Sequence, residues 1–309
     1  MNEQIRLNPQ KEVETAVFEI NKRNVKFIND LSNIKSSDKN IIYNLQNNFP
    51  YYKHPSPPGL FIDNNYSKNN KIYNNLTFKD ITIVVSLKNR RERFKLFYSF
   101  IKKHIVEHNI KIIFVEGKSD NQIDTTLFNG ENNVSYYIVD IGNVWSRSVL
   151  LNYGILKSET EIILLSDIDF IYPKLFWDTF EYTINRLDLN NSFIGFPLFE
   201  TFDTRERKKF TPYSSCYLIK KDLIVKYGGF NCKMINFSLE ERELQQRLYL
   251  NNIATIYTCF AFPNTYVLHY SHESSLGRDN LKRNENNLNV YNETIRNNIK
   301  KIEFKISLE

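Results

Sequence analysis

The chain has 309 residues, of which 41% are hydrophobic, 25% charged and 14% aromatic. That is enough apolar material to bury a sizeable core, and it excludes disorder for the bulk of the chain. The 41 Lys and Arg against 35 Asp and Glu leave a formal charge of +6, without the basic stripe of a dedicated nucleic-acid binder, so a phosphate-bearing small molecule or an anionic membrane surface suffices as partner.

Residues 10 to 47 carry Val13, Val17, Ile20, Val25, Phe27, Ile28 and Leu31 at roughly helical spacing and predict a helical preface. The stretch 48 to 79, with HPSPPG at 54 to 59, reads as turns and a linker without regular elements, which sets a boundary near residue 78. Beyond it, the apolar runs ITIVVSL (81 to 87), KIIFVEG (111 to 117), SYYIVDI (135 to 141) and EIILLSDIDF (161 to 170) predict four strands. Amphipathic stretches at 94 to 108 and 146 to 158 predict helices between them. This alternation implies an α/β fold with a mainly parallel sheet flanked by helices. Ligands of such sheets bind beyond the carboxyl ends of the strands, where KNR, EGKSD and SDID fall. Three domains follow: an N-terminal extension over 1 to 78, a core over 79 to 275, and an Asn-rich helical tail over 276 to 309. The tail's Lys282, Arg283, Arg296, Lys300, Lys301 and Lys305 read as a solvated helix, with contact to anionic lipid as the alternative.

No stretch approaches the ~20 apolar residues of a membrane span, and the N-terminus has no uninterrupted apolar leader. The cysteines Cys216, Cys232 and Cys259 are odd in number and lack CxxC spacing. A cytoplasmic location, soluble or peripheral on the inner face of the membrane, is therefore expected.

Four clusters carry candidate chemistry. In Asp167-Ile168-Asp169, strand alternation sends both carboxylates to one side, where they suit Mn²⁺ or Mg²⁺ and a sugar nucleotide. His269 and His272 lie three apart after an apolar run and can meet one cation if the chain turns; a carboxylate and imidazole site favours Mn²⁺. In FSLEERELQQRL (237 to 248), acids at a helix start are expected from the macrodipole alone, yet the preceding KYGGFNCKMIN suits a turn that delivers Glu240 and Glu241 into a cleft, where a carboxylate can act as general base. Lys88, Arg90, Arg91 and Arg93 form a basic run that can neutralise a diphosphate, with Arg90 singled out, although such runs are ordinarily solvated faces. GxGxxG, GxxxxGK[ST] and GxSxG are absent, which removes the usual support for dinucleotide, ATP-loop and hydrolase readings.

Taken in order, these segments resemble the β-1,4-galactosyltransferase family and the related bacterial capsule-polymerase (chondroitin-polymerase-like, family 2) glycosyltransferases, which have a GT-A, Rossmann-like fold. ITIVVSLKNR is similar to the family's opening strand and P-F-R-N-R-like loop, with Asn89 and Arg90 matching and Ser86 in place of proline. WSRSVLLNYG resembles F-N-R-A-K-L-L-N-x-G, with Arg147, Leu150, Leu151, Asn152 and Gly154 in register. LSDIDFIYP is similar to F-S-D-x-D-x-x-P, with one extra residue before Pro173. FSLEE matches W-G-x-G-x-E-D in its acids and in Phe237 for the tryptophan; His269-x-x-His272 resembles M-x-x-H. The match runs from about Ile81 to His272.

The resemblance implies an inverting, metal-dependent transferase that moves a hexose or N-acetylhexosamine from a UDP-sugar to a saccharide hydroxyl, lipid-linked or free, in capsule or lipooligosaccharide synthesis. By it, Asp169, His272 and His269 hold Mn²⁺ (or Mg²⁺). Ser86, Asn89, Arg90, Glu116, Arg147, Asn152 and Asp167 line the donor, Glu241 is the base and Glu240 orients the acceptor. The Trp145 segment and Gly228-Gly229 are the places where a lid would hinge. Alternatives are a retaining transferase or nucleotidyltransferase using the same DxD, and a catalytically silent nucleotide- or glycan-binding module. No nucleic-acid partner is expected.

Overall fold

Every residue of the strand Ile81–Leu87 is buried, on both faces, as its uninterrupted β-branched run requires of a central strand in a parallel sheet. A computed structural model describes residues 60–61, 71–201, 209–211, 214–236, 239–259, 261–262, 264–270 and 285–306. The predicted preface over 10 to 47, the HPSPPG segment and His272 lie outside the described residues.

In chain order the strands are β1 (Leu60–Phe61), β2 (Ile81–Leu87), β3 (Lys111–Gly117), β4 (Val134–Val139), β5 (Ile162–Asp167), β6 (Phe170–Ile171), β7 (Ser192–Gly195), β8 (Leu198–Thr201), β9 (Lys209–Thr211), β10 (Tyr217–Lys220), β11 (Ala254–Tyr257) and β12 (Val267–Tyr270). The helices are α1 (Arg91–His108), α2 (Arg147–Lys157), α3 (Lys174–Ile184), α4 (Lys221–Lys226), α5 (Glu240–Leu250) and α6 (Glu285–Arg296). Eight strands form the central sheet in the order β1-β11-β7-β10-β5-β2-β3-β4, in which β10 runs antiparallel to both neighbours and the other pairings are parallel. A second, four-stranded sheet has the order β6-β12-β8-β9. The fold is the mixed α/β, mainly parallel architecture expected.

One face of the central sheet buries Ile81, Ile83, Val85 and Leu87 with Phe94, Phe97, Ile101 and Ile105 of α1 and Phe176, Trp177 and Phe180 of α3. The other face buries Val84, Ile163 and Leu165 with Leu151 and Ile155 of α2 and Leu244 and Leu248 of α5. The period of 2 in the strands and of 3.6 in the helices thus produces two apolar layers about one sheet. Gly154 lets α2 lie close on β2, since a Cβ there would stand 2.4 Å from Val84 Cγ1.

Three expectations are corrected. The stretch 48 to 79 is not all linker, because β1 completes an edge of the central sheet by pairing with β11. Residues 71 to 78 are also tied down: the Asn74 amide donates to the Ile184 and Leu187 carbonyls at 3.0 and 2.7 Å, and Leu76 N donates to Asn185 Oδ1 at 2.7 Å. The run at 161 to 170 is not one strand but β5 and β6 separated by a turn at 168–169, which lets β6 leave for the second sheet. The tail is not solvated all round, because α6 buries Asn287, Val290, Tyr291 and Thr294, with Val290 and Tyr291 against Met234. Among the described residues no helix is long and apolar enough to cross a membrane, and all three cysteines are buried.

The segment after α6 returns to the core beneath Gly228 and Gly229. Gly228 has φ +91°, and a Cβ there would stand 2.2 Å from the Ile302 carbonyl oxygen. These glycines are therefore a packed joint, not a hinge, and Trp145 is likewise fastened, its carbonyl accepting from Asn236 N at 2.7 Å. Gly228→Ala combines a left-handed backbone with a clash against main chain and is expected to cost about 2–4 kcal/mol, read as a lower urea midpoint with unchanged slope.

Candidate active site

The parallel registers of β2 set three chemistry-bearing strand ends side by side. Ser86 lies opposite Asp167 of β5, and Leu87 lies opposite Glu116 of β3. Alternation then puts Ser86 and Asp167 on the sheet face covered by α2, and Glu116 on the face covered by α1.

On the α2 side, Arg147 is the first residue of its helix, after Ser146, whose hydroxyl caps Val149 N. A cation at a helix N-terminus opposes the macrodipole, and this one is also buried. Its charge is answered by two carboxylates from distant elements: Asp167 Oδ1, at 2.8 Å from Nη2 and 3.0 Å from Nε, and Glu241, which takes a short hydrogen bond from Nη1. Burial works against the guanidinium's charge, and Asp167, Glu241 and Glu240 more than reverse that, so its pKa lies above the ordinary arginine value. The second Asp167 oxygen accepts a short hydrogen bond from the Ser215 hydroxyl, just before β10.

Helix α5 begins after Leu239, whose φ of +72° is unusual for a side chain of that size. Packing of Leu239 against Met234, Val290 and Tyr291 holds it there, so α6 helps to aim the acidic helix start. Glu240 is buried, and its pKa is pushed up to about 8 by desolvation first and by the neighbouring Glu241 charge second, against the opposing pull of Arg147. Farther along α5, fully buried Glu243 and Arg247 pair at 2.7 Å. Thr294 of α6 donates to the same Glu243 oxygen at 3.0 Å, and Arg247 donates to the Tyr227 and Gly229 carbonyls. The acidic turn thus rests on an internal ionic anchor.

On the α1 side, Glu116 is fully buried. One oxygen accepts from Tyr136 Oη at 2.7 Å and from Ile123 N at 3.1 Å, whereas Oε1 has no hydrogen-bond partner among the described residues. Desolvation raises its pKa, and those two hydrogen bonds oppose the rise. The buried Ser86 Oγ likewise has no hydrogen-bond partner among the described residues. Buried polar atoms left without partners on a sheet's ligand-binding edge fit a polar ligand.

Asp169 sits in the turn after β5, with Arg93 Nε at 3.7 Å from Oδ1. The antiparallel pairing of β12 with β6 sets His269 opposite Phe170, the residue after Asp169, and the His269 and Phe170 rings meet edge-on at 5.9 Å. Carboxylate and imidazole donors suit a divalent cation such as Mn²⁺; Asp169 lies in the turn and His269 on β12, and His272 lies outside the described residues.

The structure therefore brings together Ser86, Arg147, Asp167, Glu240 and Glu241, and it sets His269 opposite Phe170, the residue after Asp169. It does not bring Asn152 to the rim. The Asn152 amide donates to the Phe230 and Lys305 carbonyls at 2.9 and 2.7 Å, and its oxygen accepts from Phe230 N at 2.9 Å, which makes it a tie between α2, the glycine turn and the C-terminal segment. Asn89 takes a left-handed φ of +55° in the loop after β2, and Arg90 is the cap residue of α1. The basic residue of that run that reaches the DxD turn is Arg93, one helical turn beyond Arg90. Sequence reasoning missed Ser215, whose position depends on the antiparallel strand that follows it, and Tyr136, which only the β3 and β4 register brings to Glu116.

Comparison with solved structures finds chains of the same architecture. A mannosyltransferase from Pyrobaculum calidifontis, PcManGT, in complex with GDP-Man and Mn²⁺ matches with a TM-score of 0.50 and 13% identity over 75% of this chain and 69% of its own. S. aureus TarS 1-349 in complex with UDP-GlcNAc matches with a TM-score of 0.49 and 14% identity over 63% of this chain, so that the match spans 60% of TarS 1-349. No family model matches the sequence, and no curated protein matches it. At these identities the likeness concerns the fold, which is that of a GT-A glycosyltransferase.

Two outcomes follow from the charges. Glu240 has an ordinary pKa of 4.5 when exposed and about 8 in the fold. Below the lower value both states hold the proton. Between the two values the unfolded chain releases it while the folded chain keeps it, so stability falls as pH rises through that window and levels off above it. Glu240→Gln is expected to flatten this part of the melting temperature against pH curve and to stabilise the protein at the alkaline end. Arg147→Met leaves Asp167 and Glu241 facing each other without a cation and is expected to cost about 3–5 kcal/mol in denaturant unfolding.

Proposed function

We propose that the chain is a nucleotide-sugar-dependent glycosyltransferase, inverting and metal dependent, that moves a hexose or N-acetylhexosamine from a UDP-sugar to a saccharide hydroxyl. The observation that carries this reading is the joint placement of Asp167, Arg147, Glu241 and Glu240 at the carboxyl edge of a GT-A sheet, beside the partnerless Ser86 Oγ. Supporting it are the Asp169 turn and the His269 strand that pairs alongside it.

In this reading the acceptor hydroxyl oxygen bonds to the anomeric carbon, the bond from that carbon to the diphosphate oxygen breaks, and the nucleoside diphosphate departs with the electron pair. The hydroxyl proton goes to a Glu241 carboxylate oxygen, on the opposite face of the sugar from the leaving group. Glu240, held protonated near neutrality by burial, donates a hydrogen bond that orients the acceptor. Arg147 keeps Asp167 and Glu241 at a set separation, so the donor side and the acceptor side hold their alignment. Ser86, Asn89, Arg90 and Glu116 supply polar contacts to the nucleotide, and Arg93, beside Asp169, would offset charge on the diphosphate. Asp169, His269 and His272 would hold Mn²⁺ or Mg²⁺, which when bound supplies charge compensation for the departing diphosphate. A saccharide acceptor of a bacterial surface glycan, lipid-linked or free, reached from the cytoplasm, suits the charge and the resemblance.

A silent nucleotide-binding module is the second reading, favoured by the engagement of Glu241 with Arg147 in the ground state. One experiment separates the two. UDP release is measured over a panel of UDP-sugars with Mn²⁺, with and without EDTA, and UDP binding is titrated in the same samples. Metal-dependent release from one donor, abolished in Asp169→Ala, is expected. Glu241→Gln is expected to lower turnover about a hundredfold to ten-thousandfold while keeping UDP binding. Full turnover in Glu241→Gln points instead to a retaining transferase or a nucleotidyltransferase. Metal-dependent UDP binding without turnover selects the silent module, and absence of both overturns the assignment of Asp169.

A further inference from the structure

At the far end of α1 from the DxD turn, the last helical turn presents His104, Glu107 and His108, whose ligand atoms all lie within 4.8 Å of one another. His104 and His108 are four apart on one helix face, and their rings are parallel to within 4° with centroids 5.9 Å apart. Both rings lie on Trp177 of α3, at 4.8 and 6.0 Å, and Phe78 packs on His108 at 4.4 Å. This aromatic wall holds the imidazoles in position before any ligand arrives, which removes much of the ordering cost of ligation. His104 Nδ1 is buried without a hydrogen-bond partner and stands 4.0 Å from Glu107 Oε2. A stacking role alone leaves that nitrogen unexplained, since a buried acceptor or donor is normally satisfied.

We propose that His104, Glu107 and His108 form a transition-metal site of the Zn²⁺ class, separate from the nucleotide site. Two imidazoles and one carboxylate are a borderline donor set that selects Zn²⁺, Co²⁺, Ni²⁺ or Cu²⁺ over Mg²⁺ and Ca²⁺. Ligation at about 2.0–2.2 Å from the ion needs the three donors to close by about 1–1.5 Å, a side-chain adjustment within the reach of the half-exposed Glu107. Asp178 of α3 is near enough for its charge to act on His104, against the opposing charge of Lys103, which also pairs with Glu107 at 3.5 Å and which a divalent ion would displace. The site is distinct from Asp169: His104 is eleven residues along α1 from Arg93, about 16 Å at the helical rise. Glu107 is half-exposed, so water or a group from another molecule could complete the shell. Because the metal binds only the folded helix, it stabilises the fold by mass action.

The test uses the full chain, stripped with EDTA and dialysed. Zn²⁺ is titrated by calorimetry, and Co²⁺ is titrated by tryptophan emission, because Trp177 lies against both imidazoles. Co²⁺ is expected to quench emission and excess Zn²⁺ to restore it. His108→Gln is expected to weaken Zn²⁺ binding by more than about tenfold, and Asp169→Ala is expected to leave the quench in place. Glu107→Gln, on the solvent side of the helix, serves as the variant that keeps the aromatic packing and is expected to weaken binding in the same direction. Absence of Zn²⁺ binding, an isotherm unchanged in both variants, or a quench lost only in Asp169→Ala would overturn the proposal. Turnover is not read, so failure here leaves the glycosyltransferase reading untouched.

Discussion

The guanidinium of Arg147 is the constraint around which the site is built. It is buried, it sits where a helix would rather have an anion, and its two carboxylate partners come from a strand end and a helix start 20 and 94 residues away. A charge in that position is tolerable only if both partners stay in place. The end of β5 and the entry to α5 are therefore fixed relative to one another by a single side chain. Ser215 adds a second restraint on Asp167 and ties the loop before β10 to the same unit.

Rigidity on the α5 side reaches further, to the segment after α6. Arg247 and Glu243 form a buried pair inside α5, and Thr294 of α6 completes it. The residues after α6 fill the space beneath Gly228, and their carbonyls accept hydrogen bonds from the Asn152 and Asn251 amides. A tail that carries no catalytic motif thus sets the height and angle of the acidic helix start. The second sheet does the corresponding work for the DxD turn, since β12 pairs with β6, the strand that follows the turn.

The strands β2, β3 and β5 were legible because a strand buried on both faces must be apolar throughout, and such runs stand out against a polar, Asn-rich chain. Helices α1 and α2 were legible from their period, and the motif order made the GT-A fold readable. Less could be read of β7, β8, β10 and β11, four-residue strands whose identity comes from their neighbours and not from their own pattern. The turn inside the run at 161 to 170 was hidden for the same reason, as Ile168 and Phe170 are apolar whether the chain bends or not. Asn152 shows the limit of motif matching: a residue in register with a donor-side segment is wholly engaged by the scaffold. Arg93 shows the converse, since in a basic run only the helix phase decides which cation meets the DxD turn.

The sequence by itself determined the class of fold, the strand ends on which chemistry gathers, and the identity of the acids Asp167, Asp169, Glu240 and Glu241, because hydrophobic periodicity and local motifs are properties of neighbouring residues. Tertiary structure alone decided that Arg147 joins Asp167 to Glu241, that burial makes Glu240 a proton holder near neutrality, and that two histidines of α1 stack on a tryptophan of α3. Those outcomes depend on charge, desolvation and ring contacts between residues far apart in the chain, and no local pattern encodes which distant groups will share a space from which water is excluded.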